Sequence, residues 1–453
     1  MADLALHADP LRQAYPSRRA AYFIALILFC STAFSYLDNQ VLTLLVGPIE
    51  RDLNISDTAV SALYGFAPVL IFALIGVPIG WVIDRKERRL ILAGVITVWS
   101  VMTVACGFAT GYWTLFAARV GVGIGPAFLS PLAFSLLADC FEPRMRTRAL
   151  NFYLLGVFAG TGLSLGVGGI LVNFLDHSAP LPLIGGLASW RQVFVLVGAP
   201  GLIMALLALN MPEPARQDVI AADKPADDGE ARSVTLLGYI GANSRTFAAV
   251  FVAETLLAAT AYSLMFAGPT YFIRVFDVPT IVVGRNLGLL LSVCGTVGAV
   301  SGSIVADRWA ARGVKAAKFK VCALGMAMAA PGIAALPFAP TATLGFACVG
   351  LSLIFLPFGS VASFAMVQEL FPNQLRGQGT AVALLLQAIA GTGGGPIAVG
   401  LASDYLFPGP HGFSYAIAAV GLPAILIFLV VFLLARKSYE ATRGRLGGLI
   451  GAS

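Results

Sequence analysis

Residues 36–40 read Tyr-Leu-Asp-Asn-Gln inside FIALILFCSTAFSYLDNQVLTLLVGPI, so the carboxylic acid of Asp38 interrupts an apolar run long enough to cross a bilayer. A charge there costs roughly 2.5–3.5 kcal/mol on insertion scales, which makes an intramembrane acid functional by default. Arg119, in LFAARVGVGIGPAFLSP, poses the same question. Counted from the outer ends of their runs at ~1.5 Å per residue, both lie near ~12 Å depth, within reach of each other. A carboxylate can take up a proton whereas a guanidinium keeps its own, so the pair reads as a switch. Ionised Asp38 holds Arg119; protonated Asp38 frees it for an anionic group. The alternative is a static ion pair that fixes helix register. Glu254, in VFVAETLLAATAYSL, is the other acid deep in an apolar run. It reads as a second proton acceptor, or else as a carboxyl facing a water-filled vestibule or kept neutral by burial. His7, His177 and His411 fall in tails or loops, which leaves titration within the membrane to carboxylates. Asn39, Gln40, Tyr262 and Gln387 offer hydrogen bonds to a substrate or, equally, to a neighbouring helix. Phe34, Tyr36, Phe66, Phe128, Phe134, Phe266 and Tyr271 are candidates for an aromatic cavity lining.

The elements that position these residues follow from composition. Of 453 residues, 58% are hydrophobic and 11% charged, against about 25% charged in soluble proteins. Each crossing needs about 20 apolar residues, and twelve runs fit, beginning near 20, 58, 90, 112, 149, 192, 246, 284, 318, 341, 378 and 412. With the N-terminus inside, 24 of the 29 Lys and Arg fall on the inner side. That asymmetry orients the chain with both ends cytoplasmic, in a plasma membrane (the inner membrane of a bacterium). The net charge of +6 is therefore a topology signal and implies no nucleic-acid partner. Residues 1–19 lack a signal-peptide core and read as a cytoplasmic tail. The six cysteines show no metal spacing and read as small buried hydrophobes.

Residues 211–245 are polar and rich in Pro, Asp and Ala, as expected of a partly flexible cytoplasmic linker. They separate a six-helix half at 20–210 from a second at 246–435, with a cytoplasmic tail at 436–453. The halves echo each other. GWVIDRKERR (80–89) and SIVADRWAARG (303–313) place Asp84-Arg85 and Asp307-Arg308 223 residues apart, and FEPRMR (141–146) is echoed by FPNQLRG (371–377). Parallel repeats of this size are expected of a transporter with its substrate site between the halves. In the fifth run, Gly156/Gly160 and Gly162/Gly166 have small-xxx-small spacing, suited to close packing or to a moving interface. Pro126 crowds the carbonyl of Val122, so the fourth run is expected to kink there.

With these motifs the chain resembles the major facilitator superfamily and, within it, the spinster-like family, over about residues 20–435. The superfamily's G-x-x-x-D-R-x-x-R-R motif stands as Gly80, Asp84, Arg85, Arg88 and Arg89, with Glu87 in place of its usual glycine. Arg119 and Gly123 match R-x-x-x-G, while Tyr36, Asp38, Gly123, Gly125 and Ala127 match the spinster-like pattern. Two positions depart from it: Asn39 replaces an arginine and Pro126 a glutamate. The family's proton coupling therefore carries over to Asp38 alone. The resemblance implies an all-α membrane protein of twelve transmembrane helices in two pseudo-symmetric six-helix bundles. It also implies a monomeric secondary transporter without cofactor or metal, whose partners are a small-molecule substrate, protons and the lipid bilayer. Gly80, Asp84, Arg85, Arg88, Arg89, Asp307 and Arg308 form the expected gating motif, with Asp84 facing Arg144, Arg146 or Arg148 as an inner latch. The expected cargo is a small amphipathic or anionic organic solute, such as a lysolipid-like one, moved by alternating access. An organic-anion importer or uncoupled facilitator anchored by Arg119 is the alternative. A non-transporting membrane sensor is the reading from another class. An enzyme is not expected, since no G-x-x-x-x-G-K, no H-E-x-x-H and no intramembrane histidine occurs.

Overall fold

Apolar runs that cannot hydrogen-bond to lipid must satisfy their own peptide groups, which within a bilayer means helix. The computed structural model bears this out. It describes residues 15–177, 181–216, 235–314, 316–372, 375–409 and 411–450; of these, the side chains of 75–81, 84, 143, 144, 147, 376 and 445–450 lie outside the description. Among the described residues, twelve helices are long and apolar enough to cross a membrane: α1 (Arg18–Leu44), α2 (Asp57–Leu74), α3 (Arg88–Gly107), α4 (Tyr112–Cys140), α5 (Arg148–His177), α6 (Ser189–Leu209), α7 (Ser244–Phe276), α8 (Thr280–Ala311), α9 (Ala317–Phe338), α10 (Ala342–Glu369), α11 (Gly377–Leu406) and α12 (Gly412–Gly444). Helix α2 itself continues to Arg85. An even number of crossings puts the start of α1 and the end of α12 on one side, here called the terminal face.

The helices form two bundles with matching internal packing. Helix α3 lies on α6 and α1 on α5, as α9 lies on α12 and α7 on α11. The bundles meet along two seams, α5 on α8 and α2 on α11. At the first, a Cβ on Gly162 would stand 2.6 Å from the Gly288 carbonyl oxygen. At the second, a Cβ on Gly65 would stand 2.7 Å from the Thr392 carbonyl oxygen. Only glycine allows these approaches. Gly156 packs on α1 within its own bundle, so the two glycine pairs of α5 serve different interfaces. Wide π-helical turns at Ala62–Phe66 and Gln387–Gly393 face each other on the second seam.

The expected kink in α4 is a break: the helix stops at Val122, Gly123 takes φ −59° and ψ −14°, and a new segment starts at Ile124. Part of the expected linker is ordered. Arg216 donates to the Ile83 carbonyl at 2.8 Å, and Leu236–Ala242 forms a helix whose Tyr239 hydroxyl donates to the Leu370 carbonyl at 2.9 Å. Within 211–245, residues 217–234 lie outside the described residues, as does 1–14 of the N-terminal tail. The segment from 436 likewise continues α12 as helix, with Tyr439 buried against Phe319. His177 is the last residue of α5, exposed at its end and bonded to the Asn173 carbonyl at 2.8 Å. The six cysteines are free, four buried and two half-buried.

Candidate translocation site

A cavity of about 910 Å³ lies between the bundles. Its deep wall is Ser35, Tyr36 and Asn39 of α1, Tyr64 of α2 and Tyr262 of α7. Its mouth is built from residues near the terminal-face ends of their helices, including Phe72, Phe134, Phe364, Gln368 and Thr380. The cavity thus opens toward the terminal face. The break at Gly123 and the two π turns lie along its wall: Gly123, Tyr64, Gln387 and Thr392 all line it. None of the described lining residues carries a charge. Phenol, amide and hydroxyl groups alternate instead with apolar surface.

Four of the residues singled out for substrate binding, Tyr36, Asn39, Tyr262 and Gln387, line this cavity, and Arg119, Gln40 and Phe128 do not. Gln40 is 1% exposed because its Oε1 accepts from the Tyr64 hydroxyl at 2.6 Å. Phe128 lies on the other side of α4, against the core of the first bundle; Pro126, Ala127 and Ser130 present the lining face. Of the wider aromatic set, Tyr36 and Phe134 reach the wall; Phe266 is buried where the bundles meet, its ring 5.3 Å from that of Tyr64, and Tyr271 is buried inside the second bundle.

Arg119 is wholly buried, and its three polar contacts explain why. Nε donates to the Leu63 carbonyl at 3.2 Å, Nη1 to the Asp38 carbonyl at 3.3 Å and Nη2 to Asn39 Oδ1 at 2.6 Å. The guanidinium ties α1, α2 and α4 together. The expected ion pair with the Asp38 carboxylate is not formed: the guanidinium is directed to Asn39 and two main-chain carbonyls instead. Asp38, 2% exposed, instead accepts from Thr103 of α3 at 3.0 Å. Glu254 is 5% exposed in the second bundle and accepts from Ser363 of α10, away from the cavity wall.

On the terminal face, Arg88 and Arg89 of the motif make their contacts within the first bundle. Arg88 is buried and binds Asp139, Ser135 Oγ at 3.0 Å, Glu213 at 2.8 Å and the Pro214 carbonyl at 2.8 Å, which joins α3 to α4 and to the chain leaving α6. Arg89 pairs with Glu87 at 3.0 Å, and Arg85, Asp307 and Arg308 are exposed. Gly80 and the side chains of Asp84 and Arg144 lie outside the described residues, so the expected inner latch does too. Lys318 binds Glu369 in the second bundle as Arg88 binds Asp139 in the first, each pair 51 residues apart. That shared spacing was a readable repeat signal that sequence reasoning passed over.

The opposite face carries a network that sequence reasoning missed. Arg274, at the end of α7, binds Glu50 and both carboxylate oxygens of Asp57, at 2.9 and 3.2 Å. Asp404 of α11 accepts from the Asp57 N–H at 3.2 Å, the Thr58 N–H at 2.9 Å and the Thr58 hydroxyl at 2.6 Å. The first N–H groups of a helix have no partner within it. Here a carboxylate from the second bundle caps α2 of the first. Burial pushes the Glu50 carboxyl up to about 8, with the Asp57 carboxyl adding to the rise and the Arg274 guanidinium opposing it. The arrangement is closed on this face and open on the terminal one. Along the α5/α8 seam runs a separate groove of about 980 Å³, apolar but for Ser292, Thr296 and the single charge of Arg285.

Residues 28–395 match the family model of the Major Facilitator Superfamily. The chain is similar to an MFS-type efflux pump of Mycolicibacterium smegmatis, 27% identical over 409 residues that cover 88% of this chain and 87% of that one. It is similar to Protein spinster homolog 1 of Xenopus laevis, 24% identical over 418 residues, 87% of this chain and 75% of that one. Among solved structures, a bacterial homolog of the human lysosomal transporter Spinster, in an inward-facing and unoccupied conformation, superposes with a TM-score of 0.75. That match is 24% identical and covers 95% of this chain and 98% of that one, a likeness of fold.

Proposed function

This chain belongs to the Major Facilitator Superfamily, as a multi-pass secondary transporter resembling the spinster-like branch, and from that premise we propose that it exports a small amphipathic solute, lysolipid-like, across the plasma membrane. The cavity carries the reading. A solute with an uncompensated charge would lose its hydration there with no opposite charge among the described lining residues, a large cost. A neutral or zwitterionic head meets amide, phenol and hydroxyl partners at Asn39, Tyr36, Tyr262 and Gln387, and its apolar part meets Phe72, Phe134 and Phe364. The apolar groove on the α5/α8 seam supports a lipid-like cargo further. Arg119 as an anion anchor is the weaker alternative, since the guanidinium is wholly buried, does not line the cavity and already ties α4 to α1 and α2.

Transport proceeds by alternating access, and Asp38 carries the coupling proton. The charge asymmetry makes the terminal face cytoplasmic, so this conformation faces inward. Release outward requires the Arg274–Asp404 network to open and the cytoplasmic ends to close, with the Asp84 motif as the inner latch. Glu254 is the reserve proton acceptor, remote from the cavity.

Proteoliposomes loaded with fluorescent lysophosphatidylcholine provide the test, run under an imposed pH gradient and again as counterflow. Asp38→Asn should abolish gradient-driven movement and leave counterflow, which needs no net proton release. Asn39→Ala and Gln387→Ala should raise KM more than they lower the maximal rate. No saturable movement of this probe would sink the lysolipid reading, and uphill transport by Asp38→Asn at the wild-type rate would sink the coupling.

A further inference from the structure

The two oxygens of the Asp38 carboxyl are served unequally. Oδ2 lies 3.0 Å from Thr103 Oγ1, whereas Oδ1 is buried without a hydrogen-bond partner among the described residues. The nearby charged and titratable groups, Arg119 of α4 and Cys106 of α3, make no hydrogen bond to either oxygen. Thr103 Oγ1 also lies 3.0 Å from the main-chain carbonyl of Trp99, one turn back on α3. A threonine hydroxyl has one hydrogen and two acceptor lone pairs. It can donate to one of these two oxygens at a time.

We propose, resting on the reading of Asp38 as proton carrier, that Thr103 is the positioning residue for that proton, a hydroxyl whose donor direction follows the charge of Asp38. When Asp38 is ionised, Thr103 turns its hydrogen to Oδ2. When a proton from water in the cavity, which the neighbouring Ser35 and Asn39 line, reaches Oδ2, the acid donates to Thr103 Oγ1. The threonine hydrogen then swings to the Trp99 carbonyl, which has a lone pair beyond its helix bond. No covalent bond to Thr103 is broken; one proton is gained at Asp38, the hydrogen bond between Asp38 and Thr103 reverses direction, and the one from Thr103 to the Trp99 carbonyl forms. Both charge states thus keep a partner inside a sealed pocket, where an unpaired group is costly. Valine has the shape of threonine without this ability, and serine has the ability without the methyl.

The test needs no substrate. Infrared difference spectra of the purified full chain in lipid, taken as pH is varied, report the C=O stretch of each protonated carboxyl, and Asp38→Asn identifies the band due to Asp38. Thr103→Val should raise the midpoint of that band by about one pH unit, the difference between the charge-assisted hydrogen bond lost from the ionised form and the weaker one lost from the protonated form. It should also raise the stretching frequency, because the acid loses its acceptor. Thr103→Ser should restore both, and Thr103→Ala substitutes should the valine variant fail to fold. An unchanged midpoint in Thr103→Val, or a serine variant that behaves like valine, overturns the role of Thr103 and leaves Asp38 as proton carrier. If Asp38→Asn removes no titrating band, the proton-carrier reading falls and this proposal with it.

Discussion

Replacing Asp404 by alanine tests whether a carboxylate from one bundle holds the other in place. Three hydrogen bonds would go: those from the Asp57 N–H, the Thr58 N–H and the Thr58 hydroxyl. Loss of a helix cap costs about 1 kcal/mol, and hydrogen bonds to a charged acceptor contribute about 1.5–3 kcal/mol each when well buried. The site is part-buried and water can replace the lost acceptor, so the net cost to the closed arrangement is about 2–4 kcal/mol. That shifts the ratio of closed to open on this face by about 30- to 700-fold. Because the contacts exist only when the face is closed, the shift appears in conformation more than in global stability. Spin labels on cysteines at the exposed positions Arg51 and Asp277, one on each bundle, would read it by pulsed electron resonance. The variant should gain a longer-distance population, and Asp404→Asn, which keeps one acceptor oxygen, about half the effect. A folded Asp404→Ala with the wild-type distance distribution would show that the cap does not hold this face shut.

The same label pair should respond to pH through Glu50. Its carboxyl sits at about 8 with the face closed, against an ordinary 4.5, so the closed arrangement binds that proton more tightly. Closure should therefore weaken as pH rises from about 4.5 to about 8 and level off above it; Glu50→Gln should flatten the response over that range, and a dependence that persists there would refute the assignment. Gly162→Ala should cost about 1–3 kcal/mol of thermal stability or conformational freedom by overpacking the α5/α8 seam, seen as a lower melting temperature or lost counterflow, whereas Gly166→Ala, with open space at its Cβ, should do neither. Arg119→Ala should lower the melting temperature even without substrate, since it removes the donor of two acceptors on α1 and one on α2 and so unties α4 from both; a change confined to substrate affinity would restore the anion-anchor reading. Cysteines at Asp277 and Arg312 should react with impermeant reagent only from outside and only from inside, respectively, and the reverse would overturn the orientation.

The sequence by itself determined the twelve crossings, the two repeated halves and the break near Pro126. Each follows from a constraint that acts along the chain: a bilayer thickness to span, peptide groups to satisfy within one segment, a proline ring that crowds the carbonyl one turn back. Tertiary structure decided which way each side chain faces. A span apolar all round has no polar stripe to tell core from lipid, so nothing local separates Phe134, on the cavity wall, from Phe128, packed against the bundle core. The same holds for Arg119 and Asp38: equal depth was legible, but whether they pair depends on helix azimuth, and there Asn39 and two carbonyls took the guanidinium. Glu50, Asp57, Arg274 and Asp404 are ordinary loop-margin charges in the sequence. They become a cross-bundle clasp because two helix ends more than 200 residues apart meet there, and that coincidence exists only once both bundles are packed.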